Sequence, residues 1–221
     1  PRKGALLLLV PVALVFATLV AYVGLFALGV IGRAADGERV VLAFAACPEA
    51  QPVIARRVDG MGLGDPQFAT TPEGFSLTVT LPSDPDVAAA IPTTLATPGR
   101  LVARRVGAPE PVLFTEARVT SASIRQDLTM IPWTVLTRDE AGVASLLAWA
   151  REQREGRVEY LLDGAPIGEV SNTQPISAEV ELSPMLEDDR LRLHRAAEWA
   201  IVLNGGPLPC PVTARRASGA P

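Results

Sequence analysis

Histidine is almost missing from this chain: His194 is the only one in 221 residues. With one imidazole and two cysteines, Cys47 and Cys210, the four nitrogen and sulfur ligands of a zinc site are not on hand. His194 itself stands between Arg192 and Arg195 in an amphipathic stretch and reads as a solvated side chain. Aromatic residues are scarce, at 5%. No glycine-rich phosphate loop follows a strand pattern, because the dense run Gly60-Met61-Gly62-Leu63-Gly64 closes a helical pattern instead of opening one. Ser171, Ser183 and Ser218 lack a base pattern and a nucleophile elbow. Paired carboxylates occur, as in any acidic domain, and carry no weight alone. No enzyme, cofactor or metal is expected.

Long runs of one charge sign are missing too. The net charge is −4, and the nearest approaches to a cluster, Glu187-Asp188-Asp189 and Arg215-Arg216, read as solvated surface. A mildly acidic chain is a poor partner for phosphate backbones, so nucleic acid is not expected. Proline and glycine are plentiful, at 20 and 18 residues, but scattered as punctuation, which argues against a disordered protein.

What the chain has in excess is apolar residues, 48% of the total, and many of them come first. Residues 6–31 carry no charged side chain. A helix rises about 1.5 Å per residue, so about 20 residues cross the hydrocarbon layer, and this run is long enough to cross with some tilt. It exceeds the core of a cleaved signal peptide, which spans about 7–15 residues. Pro11, near the end of the run, is tolerated there as a kink. The expectation is a retained transmembrane anchor over 1–35. Arg2 and Lys3 before the span outweigh Arg33 after it, which places the N-terminus in the cytoplasm and the rest in the periplasm or its equivalent. Gly24, Ala27 and Gly29 offer small residues for helix packing without forming GxxxG.

The remainder divides into a domain over 36–212 and a short polar tail, 213–221, expected to be flexible. Residues 39–46 read as a short apolar strand, followed by a helix whose Ala50, Val53, Ile54, Val58 and Met61 share one face. Residues 75–81 alternate as a half-buried strand. A turn at 82–85 leads into a short helix within 86–97, then strands at 101–106, 115–125 and 129–136. Thr137 and Glu140 have capping-box spacing ahead of a helix running to about Glu155. Asp163-Gly164 is a hairpin signal between strands 158–162 and 165–170. After a strand at 178–182, Ser183-Pro184 reads as an N-cap and first turn. That helix carries the stripe Leu193, Ala196, Ala197, Ala200 and Ile201, and Asn204-Gly205 ends it. Strands interleaved with three or four helices give an α+β class. On the exported side Cys47 and Cys210 are either a disulfide, closing a long loop for about 4–5 kcal/mol in the chain-entropy model, or two separate buried thiols.

Arg57-Val58-Asp59-Gly60-Met61-Gly62 with Pro66, followed by residues 75–82 (FSLTVTLP), is similar to the "RVD-x-LG" and "I-x-V-x-LPG" run of the SecD family. Residues 158–164 (VEYLLDG) resemble its "LDG" strand and turn, and 196–212 (AAEWAIVLNGGPLPCPV) its "sGaLPaPl" ending. The resemblance covers about 37–212 and implies a first transmembrane helix followed by a periplasmic domain, a ferredoxin-like base with an inserted head. It implies a role in handling emerging polypeptides within the bacterial export machinery. The chain departs from the pattern by lacking the "D-L-x-GG" run, by having Ser83 where the family has the glycine of LPG, and by stopping at Pro221 before the later membrane helices. A proton-driven motor is therefore not carried over, and no family functional residue maps onto a matching position. The leading expectation is a non-catalytic, single-span accessory subunit of a larger inner-membrane complex. Its partners would be the bilayer and integral membrane subunits, bound through the anchor and the periplasmic domain. The alternative is an export factor that binds translocating polypeptides at the periplasmic face, with or without the translocon.

Overall fold

A computed structural model describes residues 37–217, apart from 46, 65, 109–110, 127–130, 154–155, 185 and 187. The anchor expected over 1–35 and its flanking charges lie outside the described residues. Among the described residues no helix is long and apolar enough to cross a membrane.

The first half of the described chain runs β1 (Arg39–Ala45), a 3-10 turn (Pro48–Ala50), α1 (Gln51–Met61), β2 (Gln67–Thr71), β3 (Gly74–Thr80) and α2 (Pro85–Ala96). Alternation decides the strands. Val40, Leu42 and Phe44 of β1 face inward in register with Val79, Leu77 and Phe75 of β3, and Phe44 stacks on Phe75 at 4.9 Å between ring centroids. α1 meets this face with Val53, Ile54 and Val58, and α2 with Ala88, Ile91 and Leu95, so both helices cover one side of the sheet. Gly62, at φ 65°, ends α1 as the sequence requires, and Asp84 caps α2 by accepting from the N–H groups of Asp86 and Val87.

The chain then leaves this layer. It forms β4 (Leu101–Arg105), β5 (Val112–Thr115), β6 (Val119–Gln126), β7 (Pro132–Arg138), α3 (Glu140–Glu152), β8 (Arg157–Leu162), β9 (Ala165–Ser171), β10 (Glu179–Leu182) and α4 (Asp189–Gly205), and returns as β11 (Thr213–Arg216). β11 closes the first sheet in the order β11-β1-β3-β2 with every neighbour antiparallel. A β-α-β-β-α-β path in that order is a ferredoxin-like base, and the inserted residues form a head before its last strand. The head has two sheets, β10-β7-β6 and β5-β4-β8-β9, around a core that includes Leu101, Phe114, Leu136, Tyr160, Val180 and Leu182. α4 belongs to both layers. Ala196 and Ala200 are buried, and the Ala196 carbonyl accepts from Thr134 of β7. On its other side Glu198 accepts from Thr94 of α2, and Arg190 pairs with Asp84, the cap of α2.

Three sequence expectations change, and one strand was not expected. The tail is not free at its start, because Thr213–Arg216 pairs with Leu42–Ala45 as β11. α4 starts at Asp189 and is capped by Asp188, whose carboxylate accepts from the Leu191 N–H, while Ser183 stays tied to the sheet by donating to the Pro132 carbonyl. Thr137 lies inside β7, paired on both sides, so the cap of α3 is Asp139. β2, a polar and largely exposed edge strand (QFATT), has no apolar alternation by which to be seen.

Candidate functional site

Residues from all three stretches that carry the resemblance, Arg57, Asp163 and 204–208, meet at one place, where the head joins the base. Arg57 sits on the buried face of α1, fully enclosed. Its Nη1 donates to the carbonyls of Leu95 (2.9 Å), Thr97 (2.5 Å) and Thr94 (3.3 Å) at the end of α2, and its Nη2 donates to the Gly206 carbonyl (2.8 Å) just past α4. Two helix C-termini, each with unpaired carbonyls and a negative dipole end, thus converge on one cation. Burial pushes the guanidinium down to about 10, opposed by the charge of Asp163, so Arg57 is charged at neutral pH. Its Nε is buried without a partner. Next to it Arg56, exposed, donates twice to the Gly205 carbonyl.

Glycine makes this approach possible. A Cβ on Gly205 would lie 2.3 Å from Arg57 Cγ, and one on Gly99, at φ 80°, would lie 2.7 Å from Arg57 Nη2. The rest of the junction is equally specified. Asp163, in a left-handed turn at φ 53°, accepts from the N–H groups of Gly99 and Arg100 on the strand leaving the base. Asn204 holds the edge strand β6 with both ends of its amide, at Ala122 N (2.8 Å) and Ala122 O (2.6 Å). The two linkers are joined by Leu208 N–H to Pro98 O at 2.8 Å. Cys47 and Cys210 form a disulfide with Cα atoms 6.1 Å apart, on the base side of the junction.

A cleft opens beside the junction between base and head. Its inner hollow, about 390 Å³, is lined by Thr93, Thr94 and Thr97 of α2, by Asp163, Pro166 and Ile167 at the start of β9, and by Trp199 and Val202 of α4, among others. An adjoining hollow of about 700 Å³ shares Pro166, Ile167, Arg195 and Trp199 and continues past Leu182, Pro184 and Leu186. Trp199 is half-buried and Leu186 exposed. The charges at its margin are already paired: Arg157 with Glu169, Arg195 with Glu198, and Glu181 with Arg125. β9 flanks the cleft as the outer strand of its sheet. The arrangement suits an uncharged, extended, partly apolar occupant better than an ion.

Inside the head a smaller hollow of about 320 Å³ is lined by Trp149, Tyr160, Ile176, Val180 and Arg138, among others. Arg138 donates to the Tyr160 hydroxyl and to the carbonyls of Ser177 and Glu179, and its guanidinium lies over the Phe114 ring at 5.9 Å. Burial raises the Tyr160 phenol, with the Arg138 charge pulling the other way. The described partners of Arg138 are backbone carbonyls, the Tyr160 hydroxyl and the Phe114 ring. Of the side chains singled out in the sequence, the cysteines are brought together, whereas Ser171, Ser183 and His194 are not, and Ser218 lies outside the described residues. The roles of Arg57, Asp163 and Asn204 were not visible as roles. Arg57 had left a trace, since it falls on the same helical face as Val53, Ile54 and Val58.

SecDF shares this fold. One SecDF structure, described as a membrane component that enhances protein export, has a TM-score of 0.62 at 20% identity, over 83% of this chain and 100% of that one. SecDF in a super-membrane-facing form has a TM-score of 0.64 at 19% identity, over 86% of this chain but 34% of that one, so the present chain spans about a third of its length. At these identities the likeness is one of fold. No family model and no curated protein matches the chain.

Proposed function

We propose that the chain is a non-enzymatic export factor whose Trp199 cleft holds extended segments of translocating polypeptide at the outer face of the cytoplasmic membrane. The observation that carries the proposal is the cleft between base and head, where half-buried Trp199 and exposed Leu186 line the opening beside the buried side chains of Ile167 and Leu182, under a margin of internally paired charges. The fold, shared with a protein described as enhancing export, supports this reading over that of an accessory subunit. In the same proposal residues 1–35 anchor the chain with its N-terminus in the cytoplasm, and the domain lies on the exported side. Neighbouring membrane subunits, translocon components among them, would present the substrate. The long apolar run and the preceding Arg2 and Lys3 support the topology.

The test uses the full chain in its membrane, with a photoreactive residue in place of Leu186 and a tagged exported protein stalled during translocation. The expected result is light-dependent capture of the stalled polypeptide, reduced about tenfold by Trp199→Ala, in line with the 1–3 kcal/mol of a well-packed aromatic anchor. Capture of a fixed set of membrane subunits, unchanged by the stalled substrate, refutes the proposal in favour of an accessory subunit.

A further inference from the structure

The disulfide is placed where breaking it has a defined consequence. Cys47 is fully buried at the N-cap of the 3-10 turn that runs on into α1. Cys210 is half-buried on the segment that returns from the head to β11. Beyond it the chain lies at the surface, with Val212 and Ala214 partly packed on the base core. Thr213, Arg215 and Arg216 are exposed, Val212 and Ala214 are half-buried, and Leu208 is the last buried residue among those described. One covalent bond therefore fixes the outermost strand of the base against the helices on the covered face.

We propose that the Cys47–Cys210 bond is a reductive modification site, opened by a dithiol protein reductant through Cys210, and that opening it releases β11 from β1. The two sulfurs are not equivalent. Cys210 is the accessible one, while Cys47 is fully buried beneath the surface, so an incoming thiolate reaches Cys210 Sγ and Cys47 is the leaving sulfur. A reductant thiolate attacks Cys210 Sγ. The new S–S bond forms as the old one breaks, and the electron pair leaves on Cys47 Sγ, which is then protonated by solvent. The reductant's second thiolate attacks its own sulfur in the mixed disulfide and expels Cys210 as a thiolate. The dithiol ends as a disulfide and the protein as two thiols. Glu49, whose Oε2 lies 3.9 Å from Cys210 Sγ, sets a negative charge beside the attacked sulfur and so disfavours small anionic thiols. Once the staple is open, β11 is held by its four-residue ladder to Leu42–Ala45, the Ala217 N–H to Val41 O bond and the partly buried Val212 and Ala214, and loss of this short strand turns β1 into an open strand edge. The proposal is independent of whether the Trp199 cleft takes polypeptide.

The experiment uses the full chain in detergent. Peptide mapping without reductant is expected to recover 47 and 210 linked, and free thiols at both positions overturn the proposal. A thioredoxin-type protein lacking its resolving cysteine is expected to be trapped on Cys210, and trapping on Cys47, or none from the native fold, overturns it. After full reduction, amide exchange at 41–45 and 213–217 is expected to quicken at least tenfold while that at 134–138 of β7 is unchanged. Unchanged exchange in β11, or equal acceleration throughout, refutes the release. Glu49→Gln is expected to speed reduction by glutathione several-fold with no change in exchange before reduction, and an unaltered rate removes Glu49 from the account.

Discussion

Replacing Arg57 by Met keeps the aliphatic stem of the side chain and removes the cation that joins the ends of α2 and α4. Two opposed effects decide the outcome. Burial depresses the guanidinium to about 10, which corresponds to roughly 3 kcal/mol against the charged form, and Met avoids that cost. Against it stand four carbonyl acceptors, at Thr94, Leu95, Thr97 and Gly206, all served by one charged donor. Hydrogen bonds to charged groups contribute about 1.5–3 kcal/mol each, and a buried acceptor left unpaired costs about 1–3 kcal/mol. The bonds win, and the net loss is expected at about 3–5 kcal/mol, the range for breaking a buried charged contact. For a domain of this size that lowers Tm by roughly 10 °C. Arg56→Met is the control. It removes bonds to a single carbonyl from an exposed side chain, so its expected cost is about 1 kcal/mol. Thermal unfolding of the full chain followed by circular dichroism, with urea titration for the free energies, measures both. An Arg57→Met protein within 2 °C of the parent, or no less stable than Arg56→Met, refutes the claim that Arg57 holds base and head together.

Gly205→Ala tests the same contact from the other side. The added methyl would sit 2.3 Å from Arg57 Cγ, so the guanidinium must move, and a destabilisation of about 2 kcal/mol is expected in urea. In the background of Arg57→Met the same change should cost far less, and equal costs in both backgrounds would separate the two residues. The acid arm of stability should carry a contribution from Asp139. The Gly142 N–H, and then Arg118, hold its carboxylate below the usual range against a smaller opposing effect of desolvation. A folded value below the unfolded one means stability that is full above the unfolded value of about 4 and is lost as pH falls through the lowered folded value. The Tm gap between parent and Asp139→Ala should therefore be constant from pH 7 to about 5 and shrink below 4, and a gap that widens on acidification contradicts the assignment.

The sequence was legible where a segment carries its own instructions. The alternation of β1 and β3, the Asp163-Gly164 turn and the Gly62 stop are local patterns, and each forms as its pattern dictates. It was illegible where structure depends on a partner far along the chain. β11 reads as a polar tail because three of its four side chains are exposed, and it is a strand only because β1, about 170 residues earlier, offers an edge and the disulfide delivers it there. Arg57 shows the same dependence at a single residue. A cation on the apolar face of a helix conflicts with every local rule. The conflict resolves only when carbonyls 37 to 149 residues away arrive as helix ends with their acceptors unused. Arg57, Asp163 and the Asn204-Gly205 pair lie far apart in sequence yet meet at the joint between two layers, where Gly205 leaves the space Arg57 fills while Asp163 and Asn204 tie down the linker and β6. The residues proposed to meet a polypeptide at the mouth of the cleft, Leu186 and Trp199, have the reverse character. They are ordinary apolar side chains whose meaning lies in being left uncovered, and no pattern along the chain distinguishes them from the core.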